Sequence, residues 1–418
     1  MQPKILFING SFKNDSGCAV IAQNTYKMFK NRGFDVEYYT TQGFTNDKTY
    51  KFSKYFPEHF NTISKYILNQ WRYYYNWTSR KNIEKVLKEF KPDIVHVHSL
   101  RISSMTYSVL QPIIKNNIPI IMTLHDCFLI CPTMRLIKGN GEFCDAKCKG
   151  INKLHCILNN CDNTIELNFR WAMMSFVNKL TNYDKYINKF IAPSNALKNL
   201  MIKYNNDINE NNIITINNFL SNYEIKDVEP KYTNDGYFLY IGRLSKEKGV
   251  HYLLQAIEEL PKEIKFHIVG KGPEEEVLKQ YVKEKHIYNV KFLGFKNREE
   301  IKTEYQNCIA TILPCNCFEI FGMTNIESFA NGKPVIASNI GGIPEIVEHN
   351  VNGLLFEPAN VEQLRECILK YWNNPNLVVE HGKKGYEKVL TNYTEDIYFK
   401  KLIKLYEEIL NDSQKHNN

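Results

Sequence analysis

The sequence lacks the features that mark several large classes of protein. Of its 418 residues only 20 are Gly and 15 are Pro, which excludes a collagen-like or linker-dominated architecture. No apolar run reaches the roughly 18–20 residues needed to cross a bilayer. Residues 1–10 have no cationic start followed by a long apolar run, so we expect no signal peptide. The length suits two ordinary domains, and we expect a cytoplasmic enzyme built from two of them.

Charge is distributed unevenly along the chain, whose formal total is +8. Residues 1–220 contain 28 Lys and Arg against 16 Asp and Glu, whereas residues 221–418 contain 25 against 29. A basic front half indicates an anionic partner, such as a membrane surface, a lipid-linked phosphate or a nucleic acid. A solvated cationic face that only serves solubility would give the same counts.

Short β-rich runs alternate with helical patterns in both halves, which predicts parallel sheets covered by helices. The predicted strands are 3–8, a run starting within 34–39, 92–98, 118–124 and 190–194, then 236–241, 265–269, 290–293, 309–313, 334–337 and 353–356. This α/β pattern predicts a domain over 1–218, a linker over 219–235, a second domain over 236–392 and a C-terminal helix and tail over 393–418. Open parallel sheets bind ligands at the carboxyl ends of their strands, so we expect the site in a cleft between the domains.

Two glutamates stand on either side of a turn and the start of a predicted helix. Gly322, between Glu319 and Glu327, allows the backbone to approach a ligand closely, and amides at a helix start near Thr324 form an anion site. Glu319 would then lie near a sugar-sized ligand and Glu327 near ribose hydroxyls. Thr324 and Glu327 also fit a capping box, in which Glu327 only satisfies a backbone donor.

Two cations lie on the loop that follows the first predicted strand of the back half. Arg243 and Lys248 suit a diphosphate, because Arg binds oxyanions as a fork and Lys as a point charge. Neutralising charge on a leaving diphosphate lowers the barrier to its departure. Lys246 on the same loop fits a solvated basic turn. Gly270 and Gly272 mark a second close-approach loop, but the third glycine of the dinucleotide fingerprint is missing.

Together these motifs resemble those of the family 4 retaining glycosyltransferases, which have the GT-B fold of two Rossmann-like doubly wound domains facing each other across a cleft. The glutamate pair and the Arg…Lys loop are the most specific part of the resemblance. It covers nearly the whole chain, through KPDIVHVH (91–98), TLHD (123–126), FIAPS (190–194), YIGRL (240–244) with Lys248-Gly249, IVGKGP (268–273), GKPVIA (332–337) and NGLL (352–355).

This resemblance implies the transfer of a sugar from a UDP- or GDP-linked donor, with retention at the anomeric carbon and without a catalytic metal. The implied acceptor is a glycan or lipid-linked molecule in the synthesis of cell-surface polysaccharide or glycolipid. We expect the front domain to receive this acceptor. A C-terminal helix that crosses back to the front domain would also fit the resemblance.

The resemblance also implies roles for individual residues. Arg243 and Lys248 would hold the diphosphate, Glu319 would contact the donor sugar near the reacting carbon, and Glu327 would bind the ribose. Glu319 is the only carboxylate that the motif places near that carbon, yet front-face attack with the leaving phosphate as base would need none. The other implied donor contacts are His125, the glycine turns at Gly17 and Gly270, and the amides of Phe321, Gly322, Met323 and Thr324.

Two of these assignments have alternatives. Gly17 resembles the glycine-rich turn under the diphosphate, but Cys18 stands where a second glycine is frequent. His125 resembles the histidine that touches the donor sugar in many relatives. A histidine that ends a strand is otherwise commonly a core residue with its hydrogen bonds satisfied, and Asp126 beside it would orient the imidazole.

Six of the 11 cysteines fall between Cys127 and Cys161. In a reducing cytoplasm clustered thiols indicate a bound metal or only small buried side chains. Four thiolates can hold a tetrahedral zinc ion, although no pair here has the tight spacing of a zinc ribbon. The pattern from His125 to Cys144 also resembles one found in a subset of these transferases. We predict a structural zinc site in this insertion, formed by Cys131, Cys144, Cys148 and Cys161.

The segment 51–91 combines basic residues with many aromatic ones. This mixture predicts an interfacial segment on an anionic bilayer, and hence a peripheral position on the inner face of the cell membrane. A helix that packs its aromatic side chains against the sheet would have the same composition. The aromatic residues concerned are Tyr55, Phe56, Phe60, Tyr66, Trp71, Tyr73, Tyr74, Tyr75 and Trp77.

Other functions fit the sequence less well. A GT-B nucleotide-sugar epimerase shares the architecture, but we would not expect it to carry the glutamate pair with the Arg…Lys loop. A Rossmann oxidoreductase needs the full glycine fingerprint and an acidic ribose partner. A non-enzymatic anion- or nucleic-acid-binding protein could use the basic half, but no nucleic-acid recognition motif is present, so we expect no nucleic-acid partner.

Overall fold

A computed structural model describes residues 2–10, 17–41, 50–57, 72, 74–100, 105–145, 148, 153–162, 164–226, 230–232 and 236–417, with side chains described as far as residue 413. The chain divides into two compact units. Unit 1 comprises Met1–Asn217 and Tyr398–Asn418, and unit 2 comprises Asn218–Ile397. The second division falls inside the last helix, Glu395–Asn417.

Unit 1 has, within its described residues, a six-stranded parallel sheet of order β2-β1-β3-β4-β5-β6. Its first strand is entirely buried, as expected for a parallel sheet covered on both faces. The strands are β1 (Ile5–Asn9), β2 (Val36–Tyr39), β3 (Ile94–Ser99), β4 (Ile120–Thr123), β5 (Lys189–Ala192) and β6 (Ile213–Thr215). The helices are Gly17–Asn31, Trp77–Phe90, Leu110–Lys115, Leu154–Leu158, Ile165–Thr181 and Asn195–Tyr204, with the last helix from Tyr398 onward.

The last helix packs into unit 1 through aromatic side chains. The ring of Tyr406 stacks on that of Phe29 at 5.5 Å between centroids, and Phe399 lies 5.2 Å from the same ring. The Tyr406 hydroxyl lies 2.6 Å from Nδ1 of His96 on β3. The last helix therefore contacts the rest of unit 1 both through aromatic rings and through a hydrogen bond to a residue of β3.

Unit 2 repeats the architecture with a second six-stranded parallel sheet among its described residues, of order β12-β11-β10-β7-β8-β9. This is the strand order of dinucleotide-binding folds, and the direction of winding reverses between β7 and β10. The strands are β7 (Tyr237–Ile241), β8 (Phe266–Val269), β9 (Val290–Gly294), β10 (Cys308–Leu313), β11 (Val335–Ser338) and β12 (Gly353–Phe356). The helices are Asn222–Lys226, Val250–Glu258, Glu275–Glu284, Arg298–Asn307, Met323–Ala330, Ile343–Ile346, Val361–Asn373 and Pro375–Asn392.

The segment 219–235, predicted as a linker, contains ordered structure at its start. Leu220 is buried and the helix Asn222–Lys226 follows it. The carboxylate of Glu224 accepts from the backbone N–H of Ser221 at 2.7 Å and pairs with Arg298. Residues 227–229 and 233–235 lie outside the described part. Among the described residues, no helix combines the length and apolar character needed to cross a membrane.

Candidate functional site

The loops after β7 and β10 meet where the strand order of unit 2 reverses. The backbone N–H of Asn316 donates to the carbonyl of Glu247 at 2.8 Å, which joins the two loops. Gly249 has φ +70°, and a Cβ there would lie 1.8 Å from the carbonyl oxygen of Pro314. Because only glycine fits this close approach, Gly249 allows the two loops to pack against each other. Ligands of doubly wound sheets bind at such a reversal point.

Lys248 and Glu319 project from these two loops and form an ion pair. The Nζ–Oε2 distance is 2.7 Å, and the Glu319 side chain is 18% exposed. The Glu319 carboxylate is the main cause that holds the pKa of Lys248 well above its ordinary value, against the opposing effect of burial. Lys248 therefore remains a cation at any physiological pH. Arg243 lies on the same loop and is exposed.

Neighbouring glycine turns support both loops. Gly341 has φ +60°, a Cβ there would lie 2.2 Å from the carbonyl oxygen of Glu319, and the N–H of Gly342 donates to that oxygen at 2.7 Å. Glu319 is thus held through its main chain as well as its side chain. Gly270 has φ +134°, and a Cβ there would lie 1.9 Å from the carbonyl oxygen of Gly242. Gly270 therefore packs against the loop that carries Arg243, and its predicted contact with the donor stays a prediction.

The helix Met323–Ala330 begins directly after Glu319 and its loop. Its N-cap is Gly322, with φ +87°, and no side chain caps the helix. The first amides of a helix lack partners within it and carry its positive dipole end, so the residues from Gly322 to Thr324 have the character of an anion site. A Cβ on Gly322 would lie 3.6 Å from Cγ of Glu319. The sequence pattern therefore brings Glu319 beside this helix start.

The capping-box alternative for Glu327 is wrong. Thr324 lies inside the helix rather than at its cap, and the Tyr305 hydroxyl donates to Oε2 of Glu327 at 3.0 Å. Desolvation, with a smaller contribution from the nearby Glu224, raises the pKa of Glu327 to about 7. Tyr305 is a contact that sequence reasoning missed, because it lies on another helix, 22 positions earlier.

His125 in unit 1 follows β4 and forms a hydrogen bond to another histidine. Its Nε2 lies 2.9 Å from Nδ1 of His98 on β3, and the two rings are 5.2 Å apart and inclined by 23°. Burial lowers the pKa of His98 well below its ordinary value. Both rings line a small recess together with Tyr107 and Asp126. The contact between His98 and His125 was not predicted from the sequence; the one signal for His98 is its spacing from His96, which places both side chains on one face of a strand.

Gly17 is the first residue of the helix Gly17–Asn31, and residues 11–16 before it lie outside the described part. Among the described residues, a Cβ on Gly17 would meet no atom within 4 Å. The side chain of Cys18 lies 3.7 Å from Oδ1 of Asn9, at the end of β1. The described residues therefore give no steric reason for a glycine at position 17, and its role in donor binding stays a prediction.

Five cysteines of the insertion line one small cavity of about 10 Å³. They include the four predicted zinc ligands, Cys131, Cys144, Cys148 and Cys161, together with Cys156, and all five are buried and free of disulfides. Across the described residues, no three or more His, Cys, Asp or Glu side chains are arranged to hold a metal ion. The side chains as placed thus form no metal site, and zinc stays a prediction.

The aromatic segment 51–91 is described only in part. Residues 58–71 and 73, with Phe60, Tyr66, Trp71 and Tyr73, lie outside the described residues. The helix Trp77–Phe90 buries the aliphatic residues Ile83, Val86 and Leu87, and Phe56 of the aromatic set is buried as well. Trp77 is 54% exposed, and the guanidinium of Arg80 lies 5.4 Å from the centroid of its ring.

Comparison with known proteins gives a consistent picture along the chain. The family model "Glycosyltransferase Family 4" matches residues 16–221, and the model "Glycosyl transferases group 1" matches residues 221–388. An uncharacterised glycosyltransferase of Methanocaldococcus jannaschii is 32% identical over 178 residues, covering 40% of this chain and 44% of the relative. The O-antigen chain mannosyltransferase C of Escherichia coli is 29% identical over 178 residues, covering 42% of this chain and 47% of the relative. The chain thus spans less than half the length of these curated relatives.

Solved structures match over almost the full chain. Sucrose-phosphate synthase from Thermosynechococcus elongatus superposes with a TM-score of 0.74 at 16% identity, covering 98% of this chain and all of that structure. The Anabaena protein HepE, solved in complex with UDP-glucose, superposes with a TM-score of 0.65 at 17% identity, covering 97% and 100%. At these identities the structural likeness establishes the fold alone.

Proposed function

This chain belongs to glycosyltransferase family 4, with the GT-B fold, and we propose that it moves a sugar from a nucleoside-diphosphate sugar to a saccharide or lipid-linked acceptor, with retention at the anomeric carbon. The observation that carries the proposal is the Lys248–Glu319 ion pair at the strand reversal of unit 2, beside the start of the helix Met323–Ala330. This arrangement places a cation and helix amides where they could bind a phosphate, next to a carboxylate that could bind a sugar hydroxyl.

The donor diphosphate would bind to the loop cations and the helix start. An ammonium group has three N–H donors, and Glu319 uses one of those on Lys248, so two remain for phosphate oxygens. Arg243 supplies a planar fork from the same loop. The amides from Gly322 to Thr324 add uncharged donors, which suit a leaving group whose negative charge grows during the reaction. The HepE complex, whose bound molecule is UDP-glucose, supports a nucleotide-sugar donor of this kind.

Retention would follow from attack on the face that the diphosphate leaves. The bond from the anomeric carbon to the phosphate oxygen breaks, and the acceptor oxygen bonds to the same carbon. The acceptor hydroxyl proton passes to the departing phosphate, so no protein base is consumed. In this scheme Glu319 holds Lys248 in place and contacts sugar hydroxyls, and His125 binds the donor sugar. Glu327 binds the ribose, with Tyr305 fixing its carboxyl group.

The acceptor would be a growing cell-surface polysaccharide or a glycolipid. The similarity to an O-antigen mannosyltransferase and the basic front half of the chain support this class. We also propose that the chain binds an anionic membrane from the cytoplasmic side, through the exposed Trp77 and the partly buried Arg80 beside its ring. Flotation with vesicles containing phosphatidylglycerol tests this, and no recovery at low salt would contradict it.

Hydrolysis of a panel of UDP- and GDP-sugars without acceptor tests the proposal. We expect slow release of the nucleoside diphosphate from one of them, and loss of this release in Glu319→Gln. Proton NMR of the first transfer product should then show the same anomeric configuration as the donor. Inversion would refute the retaining mechanism, and an epimerised nucleotide sugar would favour the epimerase alternative. If no panel member is bound or cleaved, the proposed donor class is wrong.

A further inference from the structure

His98 and His125 are joined ring to ring in unit 1. Nδ1 of His98 and Nε2 of His125 are 2.9 Å apart, and the small angle of 23° between the rings suits a hydrogen bond in the plane of both imidazoles. His98 is 4% exposed and is held from its other side by the ring of His96, at 4.4 Å between centroids. The imidazole of His98 therefore has little freedom to turn away from His125.

The second nitrogen of His98 decides which ring donates. Nε2 of His98 is buried and, within the described part of the chain, has no hydrogen-bond partner. If His125 donated from Nε2, a neutral His98 would have to carry its proton on this buried Nε2, leaving an N–H without an acceptor. If His98 donates from Nδ1, the buried Nε2 is only an unpaired acceptor. Buried N–H groups without partners are rarer and cost more than under-used acceptors.

We propose that His98 is a positioning residue that donates from Nδ1 to Nε2 of His125 and thereby holds His125 in the neutral form with its proton on Nδ1. Burial, followed by the nearby His96 and His125, lowers the pKa of His98 well below its ordinary value, so His98 stays neutral at physiological pH. His96 is occupied by other groups, since its two nitrogens lie 2.6 Å from the Tyr406 hydroxyl and 2.7 Å from Oγ1 of Thr123.

This arrangement gives His125 one defined chemical role. Its Nε2 accepts from His98 and is not available as a base, whereas Nδ1 carries a proton and acts as a donor. His125 would therefore bind an oxygen of the donor sugar by donating a hydrogen bond. This last step depends on the proposed function, but the tautomer of His125 does not.

Nitrogen NMR of the full chain labelled with ¹⁵N-histidine tests the tautomer without any substrate. The His125 signals are identified by their loss in His125→Gln. In the unchanged chain we expect Nδ1 to give a protonated, pyrrole-type shift and Nε2 a pyridine-type shift. His98→Phe keeps a buried ring but removes the donor, and should move the proton of His125 to Nε2, the tautomer favoured by free imidazole side chains. His98→Asn places an amide N–H near the former Nδ1 position and should restore the original shifts.

His96→Phe is the matched control, because it removes an equally buried imidazole from the same strand face without touching the bond to His125. It should leave the His125 shifts unchanged. A proton on Nε2 of His125 in the unchanged chain, or identical shifts in His98→Phe, would overturn the proposal. If His98→Phe does not fold, His98→Leu, which also removes the donor, takes its place, and unchanged His125 shifts in that variant would equally overturn the proposal.

Turnover gives a second, separate readout. In His98→Phe we expect kcat to fall on the order of 10–100-fold, the range for loss of a group that orients a metal-bound histidine, with the donor KM changed less than kcat. His98→Asn should recover most of the loss. If no nucleotide sugar is cleaved by the unchanged chain, the proposed function is wrong, but the NMR experiment still tests the role of His98 because it needs no substrate.

Discussion

Lys248 and Glu319 lie 71 positions apart in the sequence, yet the Lys248 ammonium is 2.7 Å from the Glu319 carboxylate. The pair joins the loop after β7 to the loop after β10, on either side of the strand reversal. Two groups that the sequence assigned to different ligand parts are therefore one electrostatic unit before any ligand binds. Removing either charge leaves the other half-buried without its counter-ion, so their substitutions should not have independent effects.

Replacing Glu319 by Gln should reduce turnover far more than donor binding. Gln keeps the size of the side chain and an oxygen that accepts from Lys248, but it loses the charge that orients the ammonium and the sugar. We expect kcat to fall on the order of 10²–10³-fold, the range for loss of one electrostatic group at a transition state. The donor KM should change only severalfold. Steady-state kinetics with the donor found in the panel measures both, and an unchanged kcat would remove Glu319 from the mechanism.

Replacing Lys248 by Met should weaken donor binding as well as turnover, since two of its donors face the diphosphate in our proposal. Lys246→Met is the matched control, because Lys246 lies on the same turn but is exposed. We expect little change from the control. In the double variant with Glu319→Gln, the loss should be smaller than the product of the two single losses, since each single change already breaks the pair. Fully multiplicative losses would contradict the coupling.

Gly249→Ala should destabilise unit 2 more than Gly294→Ala. Both glycines have nearly the same positive φ, +70° and +68°, but only at Gly249 would the new Cβ meet backbone, 1.8 Å from the Pro314 carbonyl oxygen. At Gly294 the nearest atom is the flexible Lys271 side chain at 3.8 Å. The left-handed conformation alone costs roughly 1–2 kcal/mol. Urea unfolding should show about this loss for Gly294→Ala and a larger one for Gly249→Ala, and equal losses would contradict the close-approach argument.

The sequence predicted the alternation of strands and helices well, because that information is local. The strand predicted over 353–356 is β12, and the motif FIAPS (190–194) overlaps β5 and ends at Ser194, whose Oγ caps the next helix by accepting from the Leu197 N–H at 3.2 Å. The short edge strand β6 was missed, since Ile213–Thr215 offers only three residues of pattern. Strand order was not predicted either, because it depends on contacts between distant segments.

The sequence predicted which residues belong to the candidate site, but not which of them contact one another. The motif residues Arg243, Lys248, Glu319 and Glu327 were all singled out from the sequence. The ion pair of Lys248, the Tyr305 partner of Glu327 and the His98 partner of His125 were not, because each joins different loops, helices or strands. Spacing along the chain predicts which residues reach one edge of a sheet, but not which atoms then meet.

Glu327→Gln should remove a pH dependence of stability. The pKa of Glu327 in the folded chain, about 7, lies above the ordinary value of 4.5. The folded state therefore binds this proton more tightly than the unfolded state, and stability is lost as pH rises from about 4.5 through 7. We expect Glu327→Gln to be nearly as stable as the unchanged chain at pH 5 and more stable at pH 8, by urea unfolding. A constant difference in unfolding free energy between Glu327→Gln and the unchanged chain across this pH range would contradict the assignment. Tyr305→Phe should shift the loss of stability to higher pH, since the tyrosine hydroxyl lowers the Glu327 pKa.

The five-thiol cavity gives the sharpest test of the zinc prediction. Its five cysteines line one cavity, but among the described residues no three of them are arranged to hold a metal ion. The predicted ligand set includes Cys148 and excludes Cys156. Chain purified without chelator and then unfolded should release one equivalent of zinc to a chromogenic chelator. Cys156→Ser should keep that zinc and Cys148→Ser should lose it. Substoichiometric zinc, with all 11 thiols reacting directly on unfolding, would instead make the cluster the apolar core of the insertion.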